Sequence, residues 1–430
     1  MIELGILADD LTGGMMVASL LEREGIECPL VSSTSGLAAI KSSSAKAVVV
    51  ARKIRLIKAA SAAQEARQTV QAFKEIDCHR FYYKYCATFD STKEGNIGPV
   101  AEAMMDEIGT NKTLFSPAFP EHTVTVFQGR MFLGSTPLGE SFKRHDPVTP
   151  MTNSNLIEVL QPQCKQKVGL ISHANLANRG DIEKIIAREG SPSLYIVDST
   201  DDDDMARIAD FAIDWPLTTG ADALPIFLAR TLLERLNEQP NQKRQTRTHL
   251  PASPGQEIVI AGSCARPTLR QIEHFESQHP VFRIDLLEAS ENHNYIKEVF
   301  SWMKLHNALG PVAVATSVDV NRLEEIHAVL GRAGAAQLAD KLLGQVAKKA
   351  FETGTRRFVV AGGETSGQVV NTLGIKQLEV STFDELGGGY CHQAIPEPLS
   401  LVLKAGALGK PDFFSIALHR MREANERYGD

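Results

Sequence analysis

Two adjacent aspartates, Asp9 and Asp10, stand where the apolar run "LGILA" gives way to a helical pattern. Adjacent carboxylates repel each other and resist burial. One interpretation is functional, because ligands of open α/β sheets bind at strand ends, where clustered acids often have perturbed pKa values. The other is structural: an aspartate helix cap, followed by a tight turn through Thr12, Gly13 and Gly14, accounts well for one carboxylate and poorly for two. The spacing alone leaves both open.

A second group of polar residues follows the strand-like segment "RFYYKYCA". Turn chemistry is the simpler explanation, because an Asp-Ser-Thr turn caps the following helix. Lys84 precedes the group at strand spacing and makes anion binding the functional alternative. The polar residues of this segment are Lys84, Thr88, Asp90, Ser91, Thr92 and Asn96.

Arg55 lies in the segment "KIRLIK", which predicts Lys53 and Arg55 on one face of an extended chain. Exposed lysine and arginine side chains are ordinarily only solvated. Arg55 gains a role if it converges with Asp10 and Asp90, since a guanidinium group binds carboxylates through paired hydrogen bonds.

Three turns in the C-terminal half each follow an apolar strand. The strongest pattern is "VVAGGETSGQVV", which places Gly362, Gly363, Glu364 and Thr365 between a strand and a helix. Glycines let a ligand approach the backbone, and a helix N-terminus offers N–H groups to phosphate. The pattern is neither a Walker A sequence nor GxGxxG, and a Gly-rich turn with a threonine cap is the structural alternative. Three such turns in one domain indicate a nucleotide cradle. The other two contain Ser263 and Cys264 in "IVIAGSCARPT", and Lys404, Gly406 and Gly409 in "LVLKAGALGKP".

The residue patterns predict no metal site held by the protein itself. The twelve histidines show no HExxH or related spacing. The acidic run from Asp201 to Asp204 opens a helical pattern, where carboxylates complement the helix dipole. No CxxC pair occurs among the six cysteines. Cys264 is interpreted as a buried thiol rather than a nucleophile, because no histidine or acid is close to it in sequence.

Strand-like and helical segments alternate along most of the chain. This predicts an α/β fold of two domains, each with a mostly parallel sheet flanked by helices. The polar, proline-containing segment 239–256 is the predicted linker, so the domains are expected at 1–238 and 257–430. The turn-rich stretch 116–151 predicts a β-rich insertion or a long loop in the N-terminal domain. We expect the ligand cleft to lie between the domains.

The composition limits the classes of partner. The chain has 430 residues, of which 43% are hydrophobic and 23% charged, and its formal net charge is −7. These values predict a soluble two-domain protein without nucleic acid as its main partner. No apolar run reaches membrane-spanning length, and the acidic N-terminus lacks the basic region of a signal peptide. Scattered cysteines without a pairing pattern favour the cytoplasm. From the net charge and the lack of a membrane-spanning run, we expect neither a nucleic-acid nor a membrane partner.

Eight motifs, taken in order, resemble those of the four-carbon acid sugar kinase family, which was long catalogued as a domain of unknown function. The resemblance covers nearly the whole chain, and the ordered set is far more specific than any one motif. The motifs are "ADDLTG", "KYCATFDSTKEGNIGPV", "SPAFPE", "FQGRMFLG", "HDPVTPMTNSNL", "GSCARPTLRQI", "AGGETSG" and the tail "LKAG…DFF".

The resemblance implies a catabolic, ATP-dependent kinase that phosphorylates a hydroxyl group of a tetronate-like acid, with Mg²⁺ carried by the nucleotide. It implies an acid-sugar-binding domain at 1–238 and a nucleotide-binding domain at 257–430, and a homodimer stays open. Asp10 is preferred to Asp9 as general base because it lies nearer the turn. The implied substrate-binding residues are Arg55, Lys84, Thr88, Asp90 and Ser91. The implied nucleotide-binding residues are Ser263, Gly362, Gly363, Glu364, Thr365, Lys404 and Gly406.

The chain departs from the family pattern at several positions. Met15 and Met16 stand where the family has a polar pair, and we expect at least one of them to face the acid and to favour a less hydroxylated substrate. Inward packing is easier for Met16 than for Met15. These departures leave a second hypothesis, a non-catalytic or weakly active nucleotide- and acid-binding protein of the same fold. The other departures are Ala87, Ala405, Ala407 and the segment "DELGGGYC".

Overall fold

The chain folds into two compact units, Met1–Gln245 and Thr246–Asp430. The computed structural model describes residues 2–41, 43–146, 149–241, 251–382 and 388–428, with side chains through 424. The division between the units falls inside the predicted linker, whose residues 242–250 lie outside the described residues. Each unit has its own mainly parallel sheet with flanking helices, which confirms the predicted α/β class. In the described part of the chain, no helix has the length and apolar character needed to cross a bilayer.

The N-terminal unit alternates short buried strands with helices. Strands such as "AVVVA" are apolar throughout because helices cover both faces of a parallel sheet. Its strands are β1 Leu4–Ala8, β2 Leu30–Val31, β3 Ala47–Ala51, β4 Phe81–Lys84, β5 Thr113–Ser116, β6 Val124–Phe127, β7 Arg130–Leu133, β8 Thr136–Pro137, β9 Val168–Ile171, β10 Leu194–Val197 and β11 Leu217–Gly220. Its α-helices are α1 Leu11–Arg23, α2 Leu37–Ile40, α3 Ala59–Glu75, α4 Ile97–Ile108, α5 Leu156–Leu160, α6 His173–Leu176, α7 Arg179–Ala187, α8 Asp202–Ala212 and α9 Leu224–Leu236.

The main sheet of this unit has the strand order β2-β3-β1-β4-β11-β5-β10-β9, and all neighbouring strands are parallel. The chain places β3 on one side of β1 and then β4 on the other, so the order reverses between β1 and β4. Right-handed crossovers therefore put helices on opposite faces. Helix α3 packs against α4, whereas α9 packs against α1 and α8. In sheets of this kind, ligands bind at such a reversal, here at the carboxyl ends of β1 and β4.

The turn-rich stretch 116–151 contains a separate antiparallel sheet, β6-β7-β8, which confirms the predicted β-rich insertion. The β6–β7 turn is tight, with positive φ at both Gln128 (52°) and Gly129 (68°). The buried carboxylate of Asp198, which follows β10, accepts a hydrogen bond of 2.8 Å from each of these two backbone N–H groups. It also accepts one of 3.0 Å from the N–H of His173. One carboxylate thus attaches the hairpin and the start of α6 to the end of β10.

The C-terminal unit repeats the architecture with a mixed sheet. Its strands are β12 Gln256–Ala261, β13 Val281–Arg283, β14 Val312–Ala315, β15 Thr355–Ala361, β16 Gln377–Val380, β17 Gly388–Gln393 and β18 Leu399–Lys404. Its α-helices are α10 Arg266–Glu276, α11 Leu286–Glu291, α12 Tyr295–Asn307, α13 Val320–Leu330, α14 Arg332–Glu352, α15 Gly363–Thr372 and α16 Phe413–Tyr428.

The strand order in this unit is β13-β14-β12-β15-β18-β17-β16. The first five strands are parallel, and β17 is antiparallel to both of its neighbours. The chain adds β13 and β14 on one side of β12 and then β15 on the other, so a reversal lies between β12 and β15. The core beneath it joins the middle of these strands to Phe413 and Phe414 of α16.

Replacing Asp198 with alanine tests the attachment of the hairpin. Loss of the carboxylate leaves one buried and two partly buried N–H groups without their acceptor, and we expect unfolding of the N-terminal unit to become easier by on the order of 3 kcal/mol. Urea denaturation checks this, and amide hydrogen exchange should show lost protection first at Gln128 and Gly129. Asp106→Ala, on an exposed face of α4, is the matched control and should change little. Retained protection at the hairpin turn would contradict the interpretation.

Candidate functional site

Four neighbouring strands of the N-terminal unit end at the same level. Ala8 pairs in register with Ala51 on one side and with Lys84 on the other, and Lys84 pairs with Gly220. Because the strands are parallel, the residues that follow them meet at one edge of the sheet, over the reversal between β1 and β4. The charged residues gathered there are Asp9, Asp10, Arg55, Lys84 and Asp222.

Arg55 binds both aspartates of the adjacent pair. Its Nε and one terminal nitrogen donate to the two oxygens of Asp9, at 2.8 and 2.7 Å, and its other terminal nitrogen lies 2.9 Å from Oδ2 of Asp10. The second oxygen of Asp10 caps α1 by accepting from the N–H of Gly13 at 2.6 Å. Asp10 is thus both a helix cap and a partner of Arg55. The side chain of Asp9 is 2% exposed and that of Asp10 22% exposed, so Asp10 is the one that a ligand can reach.

The pKa values of the two neighbouring carboxyl groups are shifted in opposite directions. Burial raises the pKa of Asp9, and the opposing effect of Arg55 does not cancel it. Burial acts on Asp10 in the same direction, but the positive charges of Arg55 and Lys84 outweigh it and hold the pKa of Asp10 below its ordinary value. Asp10 therefore stays ionised at neutral pH. Environments that separate the pKa values of adjacent acids are typical of catalytic sites.

Lys84 supplies a second, deeply buried cation. Its ammonium lies 3.3 Å from Oδ1 of Asp222 and donates to the carbonyl of Tyr85 at 3.0 Å. Burial would lower the pKa of Lys84, but the carboxylates of Asp222, Asp10 and Asp9 together raise it. Gly13 makes room for this ammonium, because a Cβ there would lie 2.7 Å from Nζ. The glycine of the "DLTG" turn is thus required by close packing.

Asn96 holds the segment that carries Arg55. Its buried side-chain nitrogen donates to the carbonyls of Ile54, Arg55 and Ile57, at 2.6, 3.2 and 2.8 Å. The expected extended segment with Lys53 and Arg55 on one face is not present, since residues 52–58 form bends without strand pairing. Three carbonyls gathered on one amide impose that bent path, and it turns Arg55 toward the aspartates while Lys53 stays exposed.

A second cluster forms around Asp90. Its carboxylate accepts from Thr88 Oγ1 at 2.6 Å and lies 2.8 Å from the ammonium of Lys143, which also contacts Asp146 at 2.9 Å. The thiol of Cys86 lies 3.3 Å from Asp90. Lys143 comes from the insertion, so the insertion supplies a buried cation to the 84–92 block.

Cys86 lies between the two clusters. Burial, reinforced by Asp90, raises the pKa of its thiol to about 11, against the influence of Arg55 and Lys84. The thiol therefore stays protonated near neutral pH and can donate to Asp90 rather than act as a nucleophile. Its electrostatic coupling to both sets of charges indicates one continuous polar region.

Ser91 and the methionine pair lie differently from what was expected for ligand contacts. Ser91 is buried: its hydroxyl accepts from Gln163 at 2.9 Å, and its backbone N–H lies 3.5 Å from the sulfur of Met151 at the end of the insertion, so it does not join the aspartates. The expectation that Met16 turns inward more easily than Met15 is wrong. Met15 is 1% exposed in the core and Met16 is half-buried, because α1 packs on both the sheet and α9.

The turns of the C-terminal unit converge at its own reversal between β12 and β15. A Cβ on Gly406 would lie 2.0 Å from Ser263 Oγ, and one on Gly362 would lie 3.1 Å from Thr365 Oγ1 and 3.4 Å from the backbone nitrogen of Ser263. Gly362 has φ +122°, which only glycine adopts readily, and it is the N-cap of α15. Three chain segments therefore meet in van der Waals contact around a helix N-terminus, with Gly363 and Glu364 in its first turn.

Lys404 has its ammonium turned into its own loop. It is fully buried, and Nζ donates to the carbonyls of Ala405 and Leu408 at 2.8 Å each. Burial lowers the pKa of Lys404 to about 7. The structure brings this residue next to the glycine turns but directs its charge toward backbone oxygens.

Two charged residues of the N-terminal site were not found from the sequence. Asp222 follows the strand-like "LTTG" and could have been found by its place at a strand end. Lys143 lies in a turn-rich segment that gives no signal for its contact with Asp90, 53 residues earlier.

A metal ion finds no ready site in the part of the chain that the structure describes. No group of three or more His, Cys, Asp or Glu side chains is arranged to hold one. In the acidic run, Asp201 is the N-cap of α8 and accepts from the N–H of Asp204 at 2.9 Å.

Comparison with known proteins agrees with this division of the chain. Residues 4–226 match a family of sugar-binding N-terminal domains, and residues 258–414 match a family of nucleotide-binding C-terminal domains. Relatives include the 3-oxo-tetronate kinases of Burkholderia multivorans and Cupriavidus necator, each 35% identical over 97% of this chain and 97% of the relative. A solved Haemophilus influenzae protein of the DUF1537 family is 30% identical, with a TM-score of 0.73 over 96% of this chain and 99% of that protein. The chain belongs to the four-carbon acid sugar kinase family.

Proposed function

We propose that this protein is an ATP-dependent kinase that phosphorylates a hydroxyl group of a small sugar acid of the 3-oxo-tetronate kind. The observation that carries the proposal is the contact of Arg55 with Asp9 and Asp10 at the strand reversal of the sugar-binding unit. It places an ionised carboxylate and a partly exposed guanidinium group side by side. A hydroxylated carboxylic acid needs this pair of groups. The names of the relatives supply the substrate class, and the cytoplasm is the proposed compartment.

Arg55 is the proposed partner of the carboxylate of the acid. A guanidinium group has five N–H donors, and three are used by Asp9 and Asp10, which leaves two for a ligand. Its side chain is 23% exposed, whereas that of Lys84 is 3% exposed. Lys84 then acts from beneath, where its charge keeps Asp10 ionised. Thr88 and Asp90 would meet the hydroxyl groups of the acid, while Ser91 would support the block from inside.

Asp10 is the proposed general base. The acceptor hydroxyl oxygen attacks the γ-phosphorus of ATP, an O–P bond forms, and the bond from the γ-phosphorus to the bridging oxygen breaks to release ADP. The hydroxyl proton passes to Asp10. Asp9 is held bidentately by Arg55 and is almost fully buried, so its proposed role is to orient the guanidinium group. Phosphoryl transfer depends mainly on such positioning and on charge stabilisation.

The C-terminal unit is the proposed nucleotide site. Ser263, Gly362, Gly363, Thr365 and Gly406 meet at the N-terminus of α15, where backbone N–H groups can bind phosphate oxygens.

Mg²⁺ would reach the enzyme with the nucleotide. The described residues hold no ready-made carboxylate cage, and Mg²⁺ retains water and phosphate ligands well, so the donor set fits a metal carried by ATP. Glu364, exposed in the first turn of α15, is the protein carboxylate proposed to face it. The ion would neutralise charge on the phosphates during transfer.

The Asp10→Asn variant separates chemistry from binding. Asparagine nearly preserves the shape and can still accept from Gly13, but it cannot take the hydroxyl proton. We expect kcat with 3-oxo-tetronate to fall by about 10²–10⁴-fold, with the affinity for ADP unchanged. A coupled ADP-release assay and calorimetric titration of ADP measure the two quantities. Asp106→Asn is the control, and full turnover in Asp10→Asn would reject the role of the carboxylate.

Arg55→Gln tests the electrostatic control of Asp10 through pH. In the wild type, activity that requires ionised Asp10 is lost only as the pH falls through a pKa below the ordinary 3.8. The positive charge of Arg55 opposes the effect of burial on the pKa of Asp10. Without this charge the pKa of Asp10 rises, and the acid limb of the kcat profile moves to higher pH. Lys53→Gln, in the same segment but exposed, should leave the profile in place. An unmoved acid limb in Arg55→Gln would show that another group sets it.

Gly406→Ala tests the nucleotide site alone. The added methyl group would overlap Ser263 Oγ, at 2.0 Å, and would force the two turns apart. We expect ADP affinity to fall by about 10²-fold or more while the acid still stabilises the N-terminal unit against heat. Gly367→Ala, in α15, meets no atom within 4 Å and is the matched control. Equal ADP affinity in the two variants would place the nucleotide elsewhere.

A further inference from the structure

Four oxygen atoms surround the buried ammonium of Lys404. Nζ lies 2.8 Å from the carbonyls of Ala405 and Leu408, 3.1 Å from that of Gly406, and 3.2 Å from Thr268 Oγ1. An ammonium has three N–H groups, so the oxygens outnumber the donors, as they do around a bound monovalent cation. Three of the four oxygens belong to the loop that begins at the next residue.

Among the described residues, the ammonium of Lys404 donates hydrogen bonds to carbonyls of the loop rather than forming an ion pair with a carboxylate. A buried ammonium is stable only when its N–H groups are satisfied. In the described part of the chain, the contacts of Nζ are with backbone carbonyls and one hydroxyl, and burial is the cause of its lowered pKa. In return, the ammonium gathers carbonyls that would otherwise repel one another on one side of a tight loop. The ammonium thus holds three carbonyls of the loop around one centre.

The loop that follows Lys404 is part of the proposed nucleotide site. Gly406 packs so closely against Ser263 that no side chain fits between them. The hydroxyl of Thr268, in α10, donates to the carbonyl of Gly406 at 2.8 Å, and the backbone carbonyl of Lys404 accepts from the N–H of Gly362 at 2.9 Å. The ammonium is thus tied to all three turns that meet at the proposed nucleotide site.

We propose that Lys404 is a positioning residue whose ammonium serves as a built-in monovalent cation, holding the 405–408 loop in the form that binds nucleotide without itself touching the phosphates. The inference rests on the proposed nucleotide site and deepens it. It assigns to Lys404 an indirect role, where the motif order implied a nucleotide contact.

The test compares Lys404→Ala with Lys404→Met. Alanine removes the charge and leaves a cavity that a small cation can enter, whereas methionine removes the charge and fills the space. We expect KM for ATP and Kd for Mg·ADP to rise by about 10- to 100-fold in both variants, with KM for 3-oxo-tetronate unchanged. Ammonium or potassium chloride should restore the alanine variant and not the methionine variant. Lys410→Ala, at an exposed lysine two residues beyond the loop, should behave as the wild type.

Each other outcome has a definite meaning. Wild-type affinity in Lys404→Met, or a loss in Lys404→Ala that no monovalent cation reverses, overturns the proposal. If both variants fail to fold, Thr268→Val keeps the lysine and removes one oxygen of the cage. The Thr268→Val variant should have a higher KM for ATP and an unchanged KM for the acid. An unchanged KM for ATP in this variant overturns the proposal. Absence of Mg·ADP binding in the wild type overturns the nucleotide site itself, whereas wild-type binding with unaffected variants overturns only the role of Lys404.

Discussion

The contact of one guanidinium group with two adjacent carboxylates is the constraint on which the N-terminal site depends. Asp9 and Asp10 could not both be ionised at a buried strand end without it, because like charges at that separation repel and burial disfavours each. Arg55 pairs fully with Asp9 and only partly with Asp10. The asymmetry leaves Asp9 as an anchor, which fixes the guanidinium plane, and Asp10 as an ionised group at the surface of the crevice. Asn96 and Gly13 then serve this contact by fixing the Arg55 segment and admitting Lys84.

The same topological feature locates both sites. In each unit the strands that follow the first one in sequence lie on one side of it, and a later strand lies on its other side. The strand order therefore reverses at that first strand. Asp9 and Asp10 follow β1 at one reversal, and Ser263 follows β12 at the other. Parallel strands deliver every following residue to the same edge, so each site draws on segments far apart in sequence.

The sequence predicted the fold class well because buried parallel strands are short, continuous apolar runs and helices are amphipathic. It also indicated turns that come together at strand ends, such as those of Ser263, Gly362 and Gly406, while their function stays a prediction. It could not show which side chains meet. Asp222 joins Lys84 across two adjacent strands, and Lys143 reaches Asp90 from an insertion whose path has no periodicity. The orientation of Met15 was mistaken for a related reason: spacing within one helix does not show that α1 is covered by both the sheet and α9.

The two sites differ in how they supply positive charge, and the difference follows from their proposed ligands. The acid brings no counter-ion, so its site contains the side-chain cations Arg55 and Lys84, each restrained by carboxylates that also hold it in place. ATP brings Mg²⁺, so its site can rely on backbone N–H groups and on a helix N-terminus, which bind phosphate without a mobile charge. Many nucleotide sites add a lysine that contacts the phosphates beside the metal. The ammonium of Lys404 instead points into its own loop, where it binds backbone carbonyls. The proposed phosphate contacts are those of the glycine turns.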